Sequence, residues 1–386
     1  MRVLLLHNRY RAEGGEERAV ADLEMLLRSR GHTVQRLERS SATVGELTAA
    51  RGLVTGGWHP DEVARAVRSL GADVVHVHNV HPLFGWRALA AARAEGARTV
   101  LHLHNFRLFC AIAVGYRDGT PCFRCRGADT RPGLRLRCRG SLAGAVTYAV
   151  GLHRQQPRLF EHADRFVAVA SATAERLIEL GLPAARTSVL TNFVPAAGFV
   201  SATRAHEGGF ALVSGRLVEE KGFDTAIAAA RAAGVPLVVA GEGPDGERLR
   251  QLGVGDDVRF AGRLHPIALA KLRQRAAVVL VPSRWEEPCP YAALDALAAG
   301  VPVLASDRGG LPELVGADAA LPAGNIARWS EALAALWRDP AAREQAGRRA
   351  LERARERLSE DRYYERLMTV YAGCTSCVDG IQRPSA

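Results

Sequence analysis

Between Ser283 and Gly300 the chain reads SRWEEPCPYAALDALAAG, with adjacent carboxylates at Glu286 and Glu287 and a third at Asp295, eight positions after the second. Acids so placed can be metal ligands, paired catalytic acids, a helix-start signal or acceptors for sugar hydroxyls. The alanine-rich run after Pro290 predicts a helix. That puts Asp295 in its second turn and Glu287 in the loop entering it, so the two acids need not face one another as a retaining hydrolase's pair would. A metal would need a third ligand nearby, and none stands at convincing spacing. The preference of acids for helix starts is worth at most about 1 kcal/mol and accepts almost any arrangement. Hydrogen-bond acceptors for sugar or ribose hydroxyls fit best, with Glu286 as a solvated neighbour. The turn holding Cys289 and Pro290, with Tyr291 opening the helix, would then face the same sugar.

Fixed cations complete a site of that kind. SGRLVEEKGFDTAI places Arg216 five residues before Lys221 at a strand-to-helix junction. A guanidinium fork and an ammonium at a helix start suit a diphosphate. Lysine is rare: Lys221 and Lys271 stand alone among 51 basic residues, so each invites a reason. Gly14-Gly15, after the first apolar run, offers backbone N–H groups for close approach to a phosphate or sugar, though its spacing is not that of a dinucleotide fingerprint. His76, His78, His81, His102 and His104 crowd the ends of two successive strands. Of these, His78 and His104 fall at carboxyl ends, where ligands of α/β sheets bind.

The elements that position these residues follow a β-α rhythm. RVLLLH, HTVQRL, ADVVHVH, ARTVLHLH, RFVAVA and TSVLTNF alternate with amphipathic helices, then FALVSG, PLVVAG, DVRFAG, AVVLVPS and VPVLAS repeat the pattern. Alternation of this kind predicts parallel sheets with helices on both faces. At 386 residues two domains are expected, because single cores rarely grow much past about 250 residues. The small-residue stretch from Val194 to Gly209 breaks the rhythm. The expected organisation is therefore a first domain at 1–195 with a basic, cysteine-containing insertion at about 105–140, a linker at 196–208 and a second domain at 209–355. A helix at 356–372 is expected to pack back on the first domain, with a tail at 373–386.

SGRLVEEKG, AGEGP, RFAGRL, PSRWEEPCPYAALDALAAGVPVLAS and GGLPELV occur here in the order and spacing of a known family. The chain resembles the retaining glycosyltransferases of family 4, whose GT-B fold has two Rossmann-like, doubly wound domains facing across a cleft. The resemblance covers most of the chain, from the Gly-Gly loop to the helix after Gly300. It implies that Glu287, first acid of a Glu-x7-Glu motif, holds the transferred sugar; the second position is Asp295, one methylene shorter, which would meet the ribose. It further implies that Arg216 and Lys221 neutralise a leaving diphosphate, that Gly14 and Gly15 lend it N–H groups, and that Arg263 and Leu264 lie against the nucleobase. His104 would touch the donor sugar near the reacting carbon, with His78 and Arg107 on the acceptor side. The implied reaction is metal-independent, front-face transfer of a hexose or N-acetylhexosamine from a UDP-sugar to an acceptor hydroxyl. Glycans, glycolipids and secondary metabolites such as aminoglycoside antibiotics are the implied acceptors.

The formal charge of +10 is lopsided: residues 105–140 hold eight arginines against Asp118 and Asp129, which is +6. In the same stretch Cys110, Cys122, Cys125 and Cys138 have spacings compatible with a structural zinc clip or with unligated thiols, and Cys374 and Cys377 lie in the tail. The short apolar run at the amino end, Val3 to Leu6, points to a cytoplasmic protein without a signal peptide. Its basic insertion would meet solvent, a lipid-linked acceptor or the inner membrane surface. Two rival readings exist: a nucleotide-sugar hydrolase or epimerase on the same fold, and a basic nucleic-acid-binding protein. The insertion has few aromatics for base stacking and nucleic-acid binding leaves the second domain's motifs unexplained, so nucleic acid is disfavoured.

Overall fold

A computed structural model describes residues 1–10, 14–255 and 257–373. The expected tail, with Cys374 and Cys377, falls from 374 onward outside the described residues. The chain divides into two compact units: Met1–Gly115 with Cys122–Thr191 and the chain from Tyr364 on, and Tyr116–Pro121 with Asn192–Tyr363.

The first unit is built on six parallel strands. Their order across the sheet is Thr33–Ser40, Arg2–Arg9, Val74–Val77, Arg98–Leu103, Arg165–Ala168 and Thr187–Val189. The central strands read as near-continuous Val/Leu runs because helices cover both faces; Val3, Leu4, Leu5 and Leu6 are all fully buried. A helix at Glu46–Thr55, not evident in the sequence, ends at Gly56 in the left-handed region. Its interior Gly52 and weak apolar stripe hide it from periodicity. In the helix Glu360–Ala372, residues from Tyr364 on belong to this unit: Tyr371 hydrogen-bonds to His76 Nδ1 at 2.7 Å and Tyr364 to His32 at 2.8 Å.

The second unit also has six parallel strands, in the order Val258–Gly262, Leu237–Ala240, Ala211–Ser214, Val278–Val281, Val303–Ser306 and Ala320–Leu321. Counted from its own first strand this is order 3-2-1-4-5-6, so the direction of winding reverses between Ala211–Ser214 and Val278–Val281. Ligands of such sheets bind beyond the carboxyl ends at that reversal. Helix Phe223–Ala233 packs against Ile326–Arg338 through a core that includes Phe223, Ile227, Trp329 and Leu333, each at most 2% exposed. The stretch 196–208 forms two 3₁₀ turns, and Thr203 donates its hydroxyl to the Gly300 carbonyl at 2.5 Å, which ties it to this unit.

Two glycines let the loops at the winding reversal approach one another. Gly222, φ +67°, has no room for a side chain: a Cβ would stand 2.1 Å from the Pro282 carbonyl oxygen. Gly309, φ +57°, would put one 2.4 Å from the Glu287 carbonyl oxygen. Left-handed backbone costs a non-glycine residue about 1–2 kcal/mol before any clash is counted. Gly222→Ala and Gly309→Ala are each expected to lower the melting temperature, by roughly 2–4 °C for every kcal/mol lost. Circular dichroism melts check this, and unchanged curves for both variants would refute the packing argument.

Candidate active site

In the second unit the carboxyl ends of Ala211–Ser214 and Val278–Val281 carry the two loops with the acids and cations singled out above. Glu287 is 4% exposed. A carboxylate so buried must be matched by donors, and four hydrogen bonds serve it. Lys221 Nζ reaches Oε1 at 2.6 Å and Oε2 at 2.7 Å, and the Ser283 hydroxyl and the Trp285 indole N–H each donate to Oε2 at 2.7 Å. The ammonium also lies 5.4 Å from the centre of the Trp285 ring. Backbone bonds fix the frame: Arg284 N–H to the Glu220 carbonyl, Gly310 N–H to the Glu287 carbonyl, both 2.8 Å, and the Ser306 hydroxyl to the Ser283 carbonyl at 2.5 Å. Sequence reasoning found Lys221 and Glu287 but not Ser283, Trp285 or Ser306. All three sit at the ends of Val/Leu strands, which was the available signal.

The other residues expected around a donor lie in the same unit. Arg216 is exposed and 3.7 Å from Glu220. Its guanidinium is therefore only loosely engaged by that carboxylate. Helix Phe223–Ala233 starts directly after Lys221 and Gly222. Asp295, fifth residue of helix Tyr291–Ala298, pairs at 3.2 Å with Arg273, itself 6% exposed at the end of helix Pro266–Arg273. Its carboxylate is thus held in place by a partner the sequence did not suggest, 22 residues upstream. Arg263 is exposed, Leu264, Pro290 and Tyr291 are half-buried and Cys289 is buried. Burial pushes the Cys289 thiol up to about 12, against hydrogen bonds from Asn192 that favour the thiolate. It is an inert packing group at neutral pH.

In the first unit the winding reverses between Arg2–Arg9 and Val74–Val77, and a polar pocket lies at their carboxyl ends. It is lined by Tyr10, Glu16, His78, His81, His104, Asn105 and Arg107, among others. His76 and His78, with His102 and His104, occupy alternate positions of adjacent strands and stack on one face of the sheet. His78 Nδ1 and His104 Nε2 share a hydrogen bond of 2.9 Å, His76 Nε2 and His102 Nδ1 one of 3.1 Å. Burial, reinforced by mutual repulsion, holds His78, His102 and His104 well below the ordinary imidazole range, and His76 at about 3. The column is therefore neutral. Among the described residues, His76, His78 and His102 form the group of three whose ligand atoms lie within 4.8 Å of one another.

Charge in this pocket comes instead from Arg107 and Glu16. Arg107 lies over the Tyr10 ring at 4.6 Å and donates from Nε to its hydroxyl at 3.2 Å, while Asn105 Nδ2 donates to Glu16 Oε2 at 3.4 Å. Burial pushes Glu16 up to about 7, partly countered by His7 and Tyr10. Tyr10, Glu16 and Asn105 were missed in the sequence; that Glu16 directly follows Gly14-Gly15 was the only hint. Gly14 is exposed, and its own N–H is taken by Glu17 Oε2 at 2.8 Å, so the donors left for a ligand begin at Gly15, first residue of helix Gly15–Ser29.

No helix among the described residues is long and apolar enough to cross a membrane. Residues 13–197 match the sequence family Glycosyltransferase Family 4, and 200–353 match the glycosyl transferases group 1. The chain is 30% identical over 409 residues to a glycogen synthase of Mycobacterium tuberculosis, an alignment covering 96% of this chain and 94% of that protein. It is 31% identical over 258 residues to a GDP-mannose-dependent alpha-mannosyltransferase of the same species, covering 65% and 60%. Among solved structures it is similar to Anabaena HepE in complex with UDP, with a TM-score of 0.65, 17% identity and coverage of 97% and 100%. With two such sheets and matches that span both units, the chain belongs to glycosyltransferase family 4 and is a glycosyltransferase with the GT-B fold of two Rossmann-like domains.

Proposed function

We propose that this glycosyltransferase moves a hexose or N-acetylhexosamine from a UDP-sugar to an acceptor hydroxyl with retention of configuration. The acceptor belongs to glycan, glycolipid or secondary-metabolite assembly. The observation that carries the reading is half-buried Lys221 bonded to buried Glu287 at the winding reversal of the second unit, directly before helix Phe223–Ala233. Glu287 accepts hydrogen bonds from the sugar's hydroxyls, and Asp295, steadied by Arg273, accepts from the ribose. Arg263 and Leu264 lie along the base, and Cys289, Pro290 and Tyr291 shape the sugar pocket.

Lys221, Arg216 and the N-terminus of helix Phe223–Ala233 stabilise charge as the C1–O bond to the diphosphate breaks. The departing phosphate oxygen takes the acceptor's proton on the face from which it leaves, so the new bond forms there and configuration is kept. No enzymic nucleophile is required, and fixed cations supply the charge that a metal ion would otherwise bring. In the first unit Gly15 offers backbone N–H groups to a phosphate. His78, His104, Arg107 and Glu16 serve the acceptor, with neutral imidazoles as hydrogen-bonding partners.

The donor base rests on likeness. HepE, solved with UDP, supports uridine, whereas the mannosyltransferase relative favours a second reading with GDP-mannose. Nucleotide release measured with UDP- and GDP-sugars, without added Mg²⁺, separates them: acceptor-dependent UDP release with a product of unchanged anomeric configuration is expected. Faster GDP release would move the assignment to guanosine. Release of free sugar regardless of acceptor would overturn transfer in favour of hydrolysis.

Lys221→Ala and Glu287→Gln should each lower kcat by about 10²–10³-fold, the usual range for a lost charge-stabilising contact. Because the two act as one unit, the double variant should be little worse than either single one; additive losses would show that they work separately.

Glu16 gives a pH dependence. Its raised value keeps it protonated below about 7 and converts it to a carboxylate above, where it can accept the acceptor's hydroxyl proton in a hydrogen bond. The kcat/KM for acceptor is expected to rise through pH 7, and Glu16→Gln to flatten that rise. An unchanged profile in the variant would remove Glu16 from acceptor recognition.

A further inference from the structure

Outside both sites, one helix of the first unit is apolar on its solvent side. Helix Leu142–His162 buries Ala145, Gly151, Leu152 and Leu159 against the rest of the unit, and a helix that packs one face on a core should turn polar residues outward. Its first half does the reverse. Leu142, Val146 and Val150 are 57%, 42% and 40% exposed, and their spacing of four lines them up on successive turns. On one flank Gly151 leaves room for Leu53 of helix Glu46–Thr55, and the Gln155 amide donates to the Leu53 carbonyl at 2.5 Å. Leu47, in the first turn of that helix, is 88% exposed. On the other flank lies the basic segment. The Thr130 hydroxyl donates to the Ala149 carbonyl at 2.8 Å, His153 Nδ1 meets the Ala128 carbonyl at 2.9 Å, and the Arg139 guanidinium lies 4.2 Å from the centre of the Tyr148 ring. With 3.6 residues per turn, the exposed stripe falls between these two flanks.

We propose that this face docks the first unit on an anionic lipid bilayer, the apolar stripe entering the headgroup boundary and the arginines meeting lipid phosphates. From Thr130 to Phe160 the chain carries Arg131, Arg135, Arg137, Arg139, Arg154 and Arg158 and no Asp or Glu. All six arginines are exposed. The acids that bracket the stretch, Asp129 and Glu161, are held by Arg131 and Arg158 at 2.8 and 3.1 Å. A basic cluster and an apolar helix face are each a weak membrane signal, and together they make a stable one. A second copy of the chain is a poor occupant, because a two-fold contact would set the same six cations against their own image. Nucleic acid is a poor one too, since Leu and Val give bases no ring to stack on. The segment's cysteines offer no competing role: the zinc clip expected of Cys110, Cys122, Cys125 and Cys138 lacks metal-ligand spacing, which among the described residues belongs to His76, His78 and His102. Strand Arg165–Ala168 follows the helix and is parallel to its neighbours. The amino end of the helix therefore lies at the carboxyl edge of the sheet, the edge that carries the pocket with His78 and His104.

Sedimentation of the full-length protein with vesicles of phosphatidylcholine alone, or mixed equally with phosphatidylglycerol, tests this. Binding to the anionic vesicles is expected to be about 10-fold tighter or more at about 0.1 M salt, and to weaken without vanishing when salt is raised. Leu142→Ser/Val146→Ser/Val150→Ser should bind about 10-fold more weakly and come off fully in high salt, while keeping its melting curve and its nucleotide release in solution. Arg135→Glu/Arg137→Glu/Arg139→Glu should lose the preference for anionic lipid. Ile267→Ser, at an exposed apolar residue of the second unit, should bind as the wild type does. Should the serine variant misfold, Val146→Asp alone carries the same test. Wild-type protein that ignores anionic vesicles, or variants that bind them unchanged, would overturn the proposal. So would a dimer that the serine variant turns into a monomer without vesicle binding, or RNA bound more tightly than the vesicles.

Discussion

A carboxylate that is almost wholly out of water constrains the second unit more than any other group. Left unmatched, Glu287 would cost several kcal/mol, and its donors come from separate segments: Lys221 after one strand, Ser283 and Trp285 after the next in space. Ser306, at the end of a third strand, holds the Ser283 carbonyl, and Gly310 holds the carbonyl of Glu287 itself. Three loops are thereby brought to one point. Gly222 and Gly309 exist there because no side chain fits between backbones that close. The same bonds that satisfy the carboxylate aim its remaining lone pairs, which is the preorganisation that catalysis by charge stabilisation requires.

The first unit solves a different problem on a parallel sheet of different strand order. Alternation along Val74–Val77 and Arg98–Leu103 and just beyond them directs four imidazoles to one face, and burial leaves them neutral. Neutral rings can donate and accept without a counter-ion, so the column costs little electrostatically. The charges that remain, on Arg107 and on Glu16 above pH 7, lie in the same pocket, where Tyr10 and Asn105 connect them. The first unit's pocket is thus lined by neutral imidazoles, whereas the carboxyl ends of the second unit's strands carry a fixed ion pair.

Much of this was legible in the sequence because it is local. The strands Arg2–Arg9 and Val278–Val281 read as apolar runs, helix Phe223–Ala233 has its glycine stop at Gly234, and Lys221 and Glu287 stand out by rarity and by setting. What could not be read depends on distance along the chain. Strand order differs between the units although their β-α rhythm is the same, since rhythm does not say on which side of the first strand the third is laid. Arg273 meeting Asp295, and Tyr371 closing on His76, join segments that share no pattern. Tyr10 and Asn105 follow two different strands and Glu16 opens helix Gly15–Ser29, and only the fold makes them one pocket.

The lysine at 221 is a physical choice in a chain that otherwise uses arginine. A guanidinium is flat and longer, and its fork would bind the Glu287 carboxylate side by side, using two parallel N–H groups and directing the rest outward in one plane. The ammonium is compact. It sits between both carboxylate oxygens at 2.6 and 2.7 Å while resting above the Trp285 ring, and its charge is concentrated at a point beside the helix start. In the proposed reaction its three tetrahedral donors would let it keep the carboxylate and still turn one N–H toward a phosphate oxygen, which a planar fork fixed on Glu287 could not do without giving up a bond. Arg216, exposed and loosely paired, has in the proposed reaction the opposite task of reaching out to the diphosphate. The rarity of lysine and the geometry at Glu287 are therefore the same fact seen at two scales.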